Sequence, residues 1–237
     1  DTPGGLMDSM HQIIVAMLNH PAPVIVWVGP SGASAASAGV FITMASDIAA
    51  MAPGTNIGAA HPVQMGSPLQ PETPETVKKG KKNGETTVMG EKITNYAASY
   101  MRSIASDKKR NWRWAEQSVP KSLSITDREA VEKKVVEYSA PDVQALLNLI
   151  DGKQITKLGK KITINTKNAE QVKIEMKPFK KFLNLIANPN IAFILLTIGI
   201  YGLIYEFASP GIGIGAILGG ISLILAFFAL QMLPVNI

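Results

Sequence analysis

The sequence predicts an α/β domain followed by a hairpin of two membrane-spanning helices, and three observations carry that reading. Two junctions of small residues, DTPGG at 1–5 and PSGASAASAG at 30–39, each stand between a strand-like and a helix-like stretch. Two long apolar runs, 191–207 and 212–233, follow each other near the end of the chain. Between these ends the composition turns lysine-rich and mixed, with short pieces of both periodicities.

Taken in order, DTPGG reads as the end of a strand, so the chain is expected to be cut from a longer protein at both ends, with its first strands missing. Leu6, Met10, Ile13, Ile14, Met17 and Leu18 recur at helical spacing and predict a helix from about Leu6 to Asn19. The apolar run at 24–28 is a strand, and residues 40–44 begin a helix after the junction at 30–39. Residues 62–90, rich in Pro, Gly, Lys and Thr without periodicity, are expected to form a mobile loop able to close over a site. Lys92 then opens a helix whose apolar side is marked by Ile93, Tyr96, Ala97, Tyr100, Met101 and Ile104. Alternation at Ile162, Thr163 and Ile164 suggests small hairpins within the lysine-rich 151–177. The segment PFKKFLNLI at 178–186 resembles an interfacial helix. The expected organisation is a catalytic domain over 1–150, a linker over 151–190 and a membrane region over 191–237.

The membrane reading follows from length. The first apolar run is interrupted only by Glu206 and two tyrosines and lies at the short limit for a span, whereas the second is long enough outright. The residues between them, ASPG at 208–211, read as a turn. Glycines at 199, 202, 211, 213, 215, 219 and 220 suit close helix packing in lipid. Lys177, Lys180 and Lys181 precede the first span and are equally consistent with a cytoplasmic flank or with snorkelling anchors.

Charge and composition exclude several function classes. The chain has no cysteine, which removes disulfides, thiol catalysis and cysteine-ligated zinc. Its net charge of +5 comes mostly from lysine clusters. No nucleic-acid recognition motif accompanies that excess, so a solvated basic surface near a membrane is expected rather than a nucleic-acid partner. No metal and no cofactor are expected.

The chemistry sits at the two junctions. Backbone N–H groups at a strand-to-helix turn are free to point outward. Two such turns, one carrying serines, supply a nucleophile and an oxyanion hole for acyl transfer. The bland alternative is that glycine and alanine merely permit tight strand–helix packing. A serine nucleophile needs a base, and the candidates are His11, His20, His61 and Lys92. His11 and His20 fall on surface positions. His61 could face the site, whereas Lys92, at the start of its helix and partly desolvated, would be favoured as the neutral amine. The residues alone leave that choice open.

Five motifs in order, DTPGG, PSGASAASAG, MAPGTNIGAAHP at 51–62, KITNY at 92–96 and SLSITDREAV at 122–131, together with YEFASPGIG at 205–213, resemble the NfeD-family membrane-bound serine proteases of the Clp-protease class. The resemblance implies a Clp/crotonase-like ββα spiral protease domain and proteolysis by a Ser–Lys dyad. It assigns the nucleophile to Ser37, the general base to Lys92 and the oxyanion donors to the backbone N–H groups of Gly5 and Ala38. Ser31 and Ser34 are left as structural. It further implies a protein or peptide substrate, namely hydrophobic segments of stomatin-like membrane proteins, a homo-oligomer of two or more copies, and a protease domain outside the cytoplasm.

Two departures bear on these roles. The interval from Ser37 to Lys92 is longer than the family pattern. His61 falls close to where Ser–His–Asp members of the class carry their histidine, yet the segment EQSVPKSL at 116–123 lacks the aspartate such a triad needs, which favours Lys92 and leaves His61 as a pocket residue or alternative base. A non-catalytic scaffold assembling with stomatin-like proteins and a signal-peptide-peptidase-like protease are the competing functions. The first would need neither Ser37 nor Lys92. The helical hairpin argues against the second.

Overall fold

The spacing of Met10, Ile14 and Met17 gives α1 (Met7–Asn19), with those three side chains buried. β1 (Ile25–Val28), β2 (Ser34–Ala36), α2 (Ala38–Ala45), β3 (Ile48–Met51) and β4 (Asn56–Gly58) follow. β1 runs parallel to β3, with Ile25 opposite Ile48 and Val28 opposite Met51. β2 runs parallel to β4, with Ser34 opposite Asn56 and Ala36 opposite Gly58. Each strand–strand–helix turn of the chain therefore adds one strand to each of two sheets, which is the ββα spiral. The computed structural model describes residues 1–62, 84–167, 169–186, 188–208 and 213–232.

The spiral continues through α3 (Gly84–Asp107), α4 (Trp112–Ser118), β5 (Ser124–Thr126), α5 (Asp127–Glu132), β6 (Tyr138–Ser139) and α6 (Val143–Ile150). β5 joins β4 antiparallel, and β6 joins β3 parallel. The sheet orders are β1-β3-β6 and β2-β4-β5. β3 is central in its sheet and buried at all four positions, as a strand covered on both faces must be. α5 opens on a capping box, in which Thr126 and Glu129 satisfy each other's backbone N–H.

The segment expected to be a loop over 62–90 is helical from Gly84. Its remaining residues, 63–83, lie outside the described ones. One interior glycine, Gly90, costs about 1 kcal/mol and does not stop a helix whose later turns are anchored by buried Ala97, Met101, Ile104 and Ala105. Lys92 consequently sits in the third turn of α3 and does not open it. The helix macrodipole acts within the first turn, so it does not reach Lys92.

Two buried ionic clusters brace this domain. Arg110 is 5% exposed; its guanidinium donates to the carbonyls of Thr43, Met44 and Ser46 at the end of α2 and forms a fork with Glu137 at 2.7 and 2.8 Å. It satisfies carbonyls that the end of a helix leaves without partners. Asp47 accepts from Lys108 at 2.8 Å, Lys157 at 2.7 Å and the Val24 N–H at 2.9 Å. Lys157 belongs to the hairpin β7 (Gln154–Lys157) and β8 (Lys160–Thr163), as the alternation at 162–164 suggested, and also donates to the Met17 carbonyl. Burial works to raise the Asp47 carboxyl, but its hydrogen bonds from the two lysines and Val24 hold it below the usual range.

Among the described residues the chain divides into two compact units, the first ending at Glu170 and the second beginning at Gln171. The second contains α7 (Pro178–Ile186), α8 (Pro189–Ala208) and α9 (Ile214–Met232). Among the described residues, 190–208 is the helix long and apolar enough to cross a bilayer, and 214–230 is a shorter apolar helix. Most of the expected ASPG turn lies outside the described residues. α8 and α9 pack through their glycines. A Cβ on Gly219 would lie 3.0 Å from the Gly199 carbonyl, and one on Gly202 would lie 3.1 Å from the Gly215 carbonyl, so the two backbones meet only because neither carries a side chain. Gly213 and Gly220 take no part in this contact. Glu206, the charge that interrupts the first apolar run, accepts from the N–H groups of Gly213 and Gly215 and so occupies the N-terminal end of α9.

Candidate active site

The serine of the AASAG motif differs from its neighbours in backbone conformation. Ser37 is the N-cap of α2 with φ 52° and ψ −115°, a sparsely populated region for a residue with a Cβ. Such a conformation costs about 1–3 kcal/mol and is kept where the surrounding structure enforces it. The enforcing contacts are visible: the Ser37 N–H donates to the Ala59 carbonyl at 3.3 Å, and the preceding Ala36 N–H donates to Thr2 at 2.9 Å. A sharp strand-to-helix turn of this kind presents a side chain at the tip of a sheet. The other two serines are occupied differently. Ser31 donates to the Pro53 carbonyl at 2.7 Å, and Ser34 lies within β2.

The DTPGG segment comes to the same place. Thr2 bridges Ala35 in parallel register, so the chain's first residues extend the β2 sheet as the end of a strand. A Cβ built on Gly4 would lie 3.8 Å from Ser37 Oγ, and one on Gly5 would lie 3.6 Å from the Ala38 Cβ. Gly39 has a related role, because a Cβ there would stand 2.9 Å from the Thr2 carbonyl oxygen. Only glycine at 39 lets the strand end approach α2 this closely. Among the described residues no acceptor takes the N–H of Gly5 or Ala38. The site thus contains a half-buried hydroxyl beside two free backbone donors, the arrangement that can hold a developing oxyanion. Gly4, which the sequence reading did not single out, is the glycine whose Cβ would come within 4 Å of the hydroxyl. It stands in the same motif, and only its packing distinguishes it from Gly5.

The candidate bases stand as follows. Lys92 is exposed on α3, and among the described residues no hydrogen bond joins its Nζ to Ser37 Oγ. Its helix is held against α2 by aromatic contacts. Tyr100 stacks on Phe41 with centroids 6.3 Å apart and on Tyr96 at 6.1 Å, and His11 packs on Tyr100 at 5.3 Å. Burial and the neighbouring Tyr96 push the Tyr100 phenol up, so it stays neutral. His61 lies at the surface with Nδ1 3.1 Å from the Val119 carbonyl. No carboxylate contacts that ring among the described residues, so the acid of a Ser–His–Asp triad is missing there. His20 binds its own turn through Ala22. No group of His, Cys, Asp or Glu able to hold a metal occurs among the described residues.

The membrane-bound protease PH1510 of Pyrococcus horikoshii is 40% identical over 230 residues, which are 95% of this chain and 48% of that protein. A solved structure of the 1510-N membrane-bound stomatin-specific protease, a lysine-to-alanine variant with a substrate peptide, superposes with a TM-score of 0.65 at 34% identity, over 78% of this chain and 80% of that one. The chain belongs to this family of membrane-bound proteases. A serine-to-alanine variant of the 1510-N protease superposes with a TM-score of 0.61 at 36% identity, over 75% of this chain and 80% of that one. Residues 190–237 match the NfeD integral membrane domain, which makes this NfeD-family chain a membrane protein. It spans about half the length of the curated relatives that it matches.

Proposed function

We propose that this NfeD-family chain is a membrane-anchored serine endopeptidase that cleaves hydrophobic segments of stomatin-like membrane proteins through a Ser37–Lys92 dyad. The observation that carries the reading is the strained backbone of Ser37 beside Gly4 and Gly5, which puts a hydroxyl and free N–H donors around one small space. In the reaction Ser37 Oγ attacks the scissile carbonyl while the neutral Lys92 amine takes its proton. The Gly5 and Ala38 N–H groups stabilise the oxyanion, and the lysine then gives the proton to the leaving amine. A water deprotonated by the same amine releases the acyl group. The absence of bulk at 30–39 lets an extended peptide approach the hydroxyl.

The proposal requires Lys92 Nζ to reach Ser37 Oγ when substrate is bound. In the related 1510-N protease one serine and one lysine have been replaced in separate variants, and the two stand closer together in sequence than Ser37 and Lys92. Lys78, outside the described residues, stands at the shorter interval and is the competing lysine. The KITNY motif favours Lys92. A fluorophosphonate probe applied to the full chain in its membrane should label the wild type and the Lys78→Ala variant, and should fail on Ser37→Ala and Lys92→Ala. Labelling of Ser37→Ala would remove the nucleophile assignment.

We propose further that the chain is multi-pass, a reading that two apolar helices in succession support, with the protease domain outside the cytoplasm. Protease added to right-side-out vesicles should digest residues 1–170. Their protection would reverse that orientation.

A further inference from the structure

The helix α7 has an apolar face wider than its partners cover. Leu183 and the buried Ile186 pack with Ala192 and Leu195 of α8 and with Ala229 and Leu230 of α9. At 100° per residue, Phe179, Phe182 and Leu185 continue the same face around the helix. They are 69%, 46% and 57% exposed. Lys180, Lys181 and Asn184 occupy the opposite side. A two-turn helix that leaves three large apolar side chains in water forgoes their burial, so the face calls for a further partner.

Position and charge select that partner. α7 ends at Ile186 and α8 begins at Pro189, so the exposed face lies directly before a helix able to cross a bilayer. The same approach is basic. Lys173, Lys177, Lys180 and Lys181 cluster there against Glu175, which pairs with Lys173 and Lys181. Apolar side chains on one face and lysines on the other, next to a span, match the boundary of a bilayer with anionic lipid. We propose that α7 is a membrane-surface helix, with Phe179, Phe182 and Leu185 among the upper acyl chains and Lys177, Lys180 and Lys181 on the phosphates of anionic phospholipid headgroups. Docked on the hairpin by Leu183 and Ile186, it sets where the chain leaves the membrane surface.

The inference rests on α8 lying in the membrane, and the experiment separates the two. Because the chain has no cysteine, single cysteines can be labelled uniquely in the full chain. Nitroxide labels at Phe182→Cys, Leu185→Cys, Asn184→Cys and Phe193→Cys are compared in vesicles of phosphatidylcholine with phosphatidylglycerol, using oxygen and a polar nickel complex as relaxants. The 193 label reports on α8 alone. Labels at 182 and 185 should be several-fold more accessible to oxygen than to nickel, and the 184 label the reverse. The 182 label should also sit deeper with phosphatidylglycerol than in phosphatidylcholine alone. A wet 182 label beside a lipid-exposed 193 label overturns the proposal while leaving the membrane span intact. A 182 label closed to both relaxants, with or without spin–spin broadening, means a protein covers the face and also overturns it. Equal depth in the two lipids removes the assignment of the lysines to anionic headgroups.

Discussion

Replacing either Ser37 or Lys92 with alanine is expected to lower kcat/KM on a hydrophobic peptide by at least about 10²-fold, the lower end of what general-base help contributes. The two losses should be similar, and the double variant should be little worse than either, because a nucleophile and its base act as one unit. His61→Ala should retain most activity, since its ring rests on the Val119 carbonyl at 3.1 Å and no carboxylate orients it among the described residues. Cleavage by the variants across the neutral-to-alkaline range measures all of this at once. Inactive His61→Ala together with active Lys92→Ala would make this a Ser–His enzyme and end the dyad assignment.

The second large effect is on stability. Asp47→Ala should destabilise the first unit by about 3–5 kcal/mol, the usual cost of removing one partner from a buried ion pair. The reason is local: the Lys157 side chain is 2% exposed and would be left buried without its carboxylate partner. All three tryptophans, Trp27, Trp112 and Trp114, lie in the first unit. Urea unfolding of the full chain followed by tryptophan emission therefore reads that unit alone. A midpoint unchanged from wild type would show that the cluster contributes nothing. The pH dependence has a definite sign. A carboxyl held below its unfolded value of 3.8 contributes stability that is complete above that pH and is lost as pH falls through the lowered folded value. The stability difference between wild type and Asp47→Ala should accordingly narrow on acidification below about pH 4.

Much of the fold and of the candidate site was legible because its signals are local. A run of small residues between an apolar strand and an apolar helix marks a tight junction wherever it falls, and PSGASAASAG carries that mark without reference to the rest of the chain. Helical spacing gave α1, and apolar composition marked both α8 and α9, but length ranked them the wrong way round: among the described residues α8 is the helix long enough to cross a bilayer and α9 is the shorter one. The ends of elements were less legible. Residues 84–90 read as loop because Gly90 and the surrounding polar residues have no apolar period, yet buried Ala97, Met101 and Ile104 anchor α3 strongly enough to carry the helix back through them. Lys92 lost its place at a helix terminus for that reason.

The sequence by itself determined which residue types meet at the two junctions, that two stretches near its end are strongly apolar, and that these residues supply no thiol. The tertiary structure alone decided which serine is strained. Ser31, Ser34 and Ser37 share one small-residue context, and only the contacts from Thr2 and Ala59 give Ser37 its positive φ. It alone decided that Lys157 would close on Asp47 across 110 residues. A pattern read along the chain reports the period of local structure, whereas backbone strain and buried charge depend on groups brought together from distant segments.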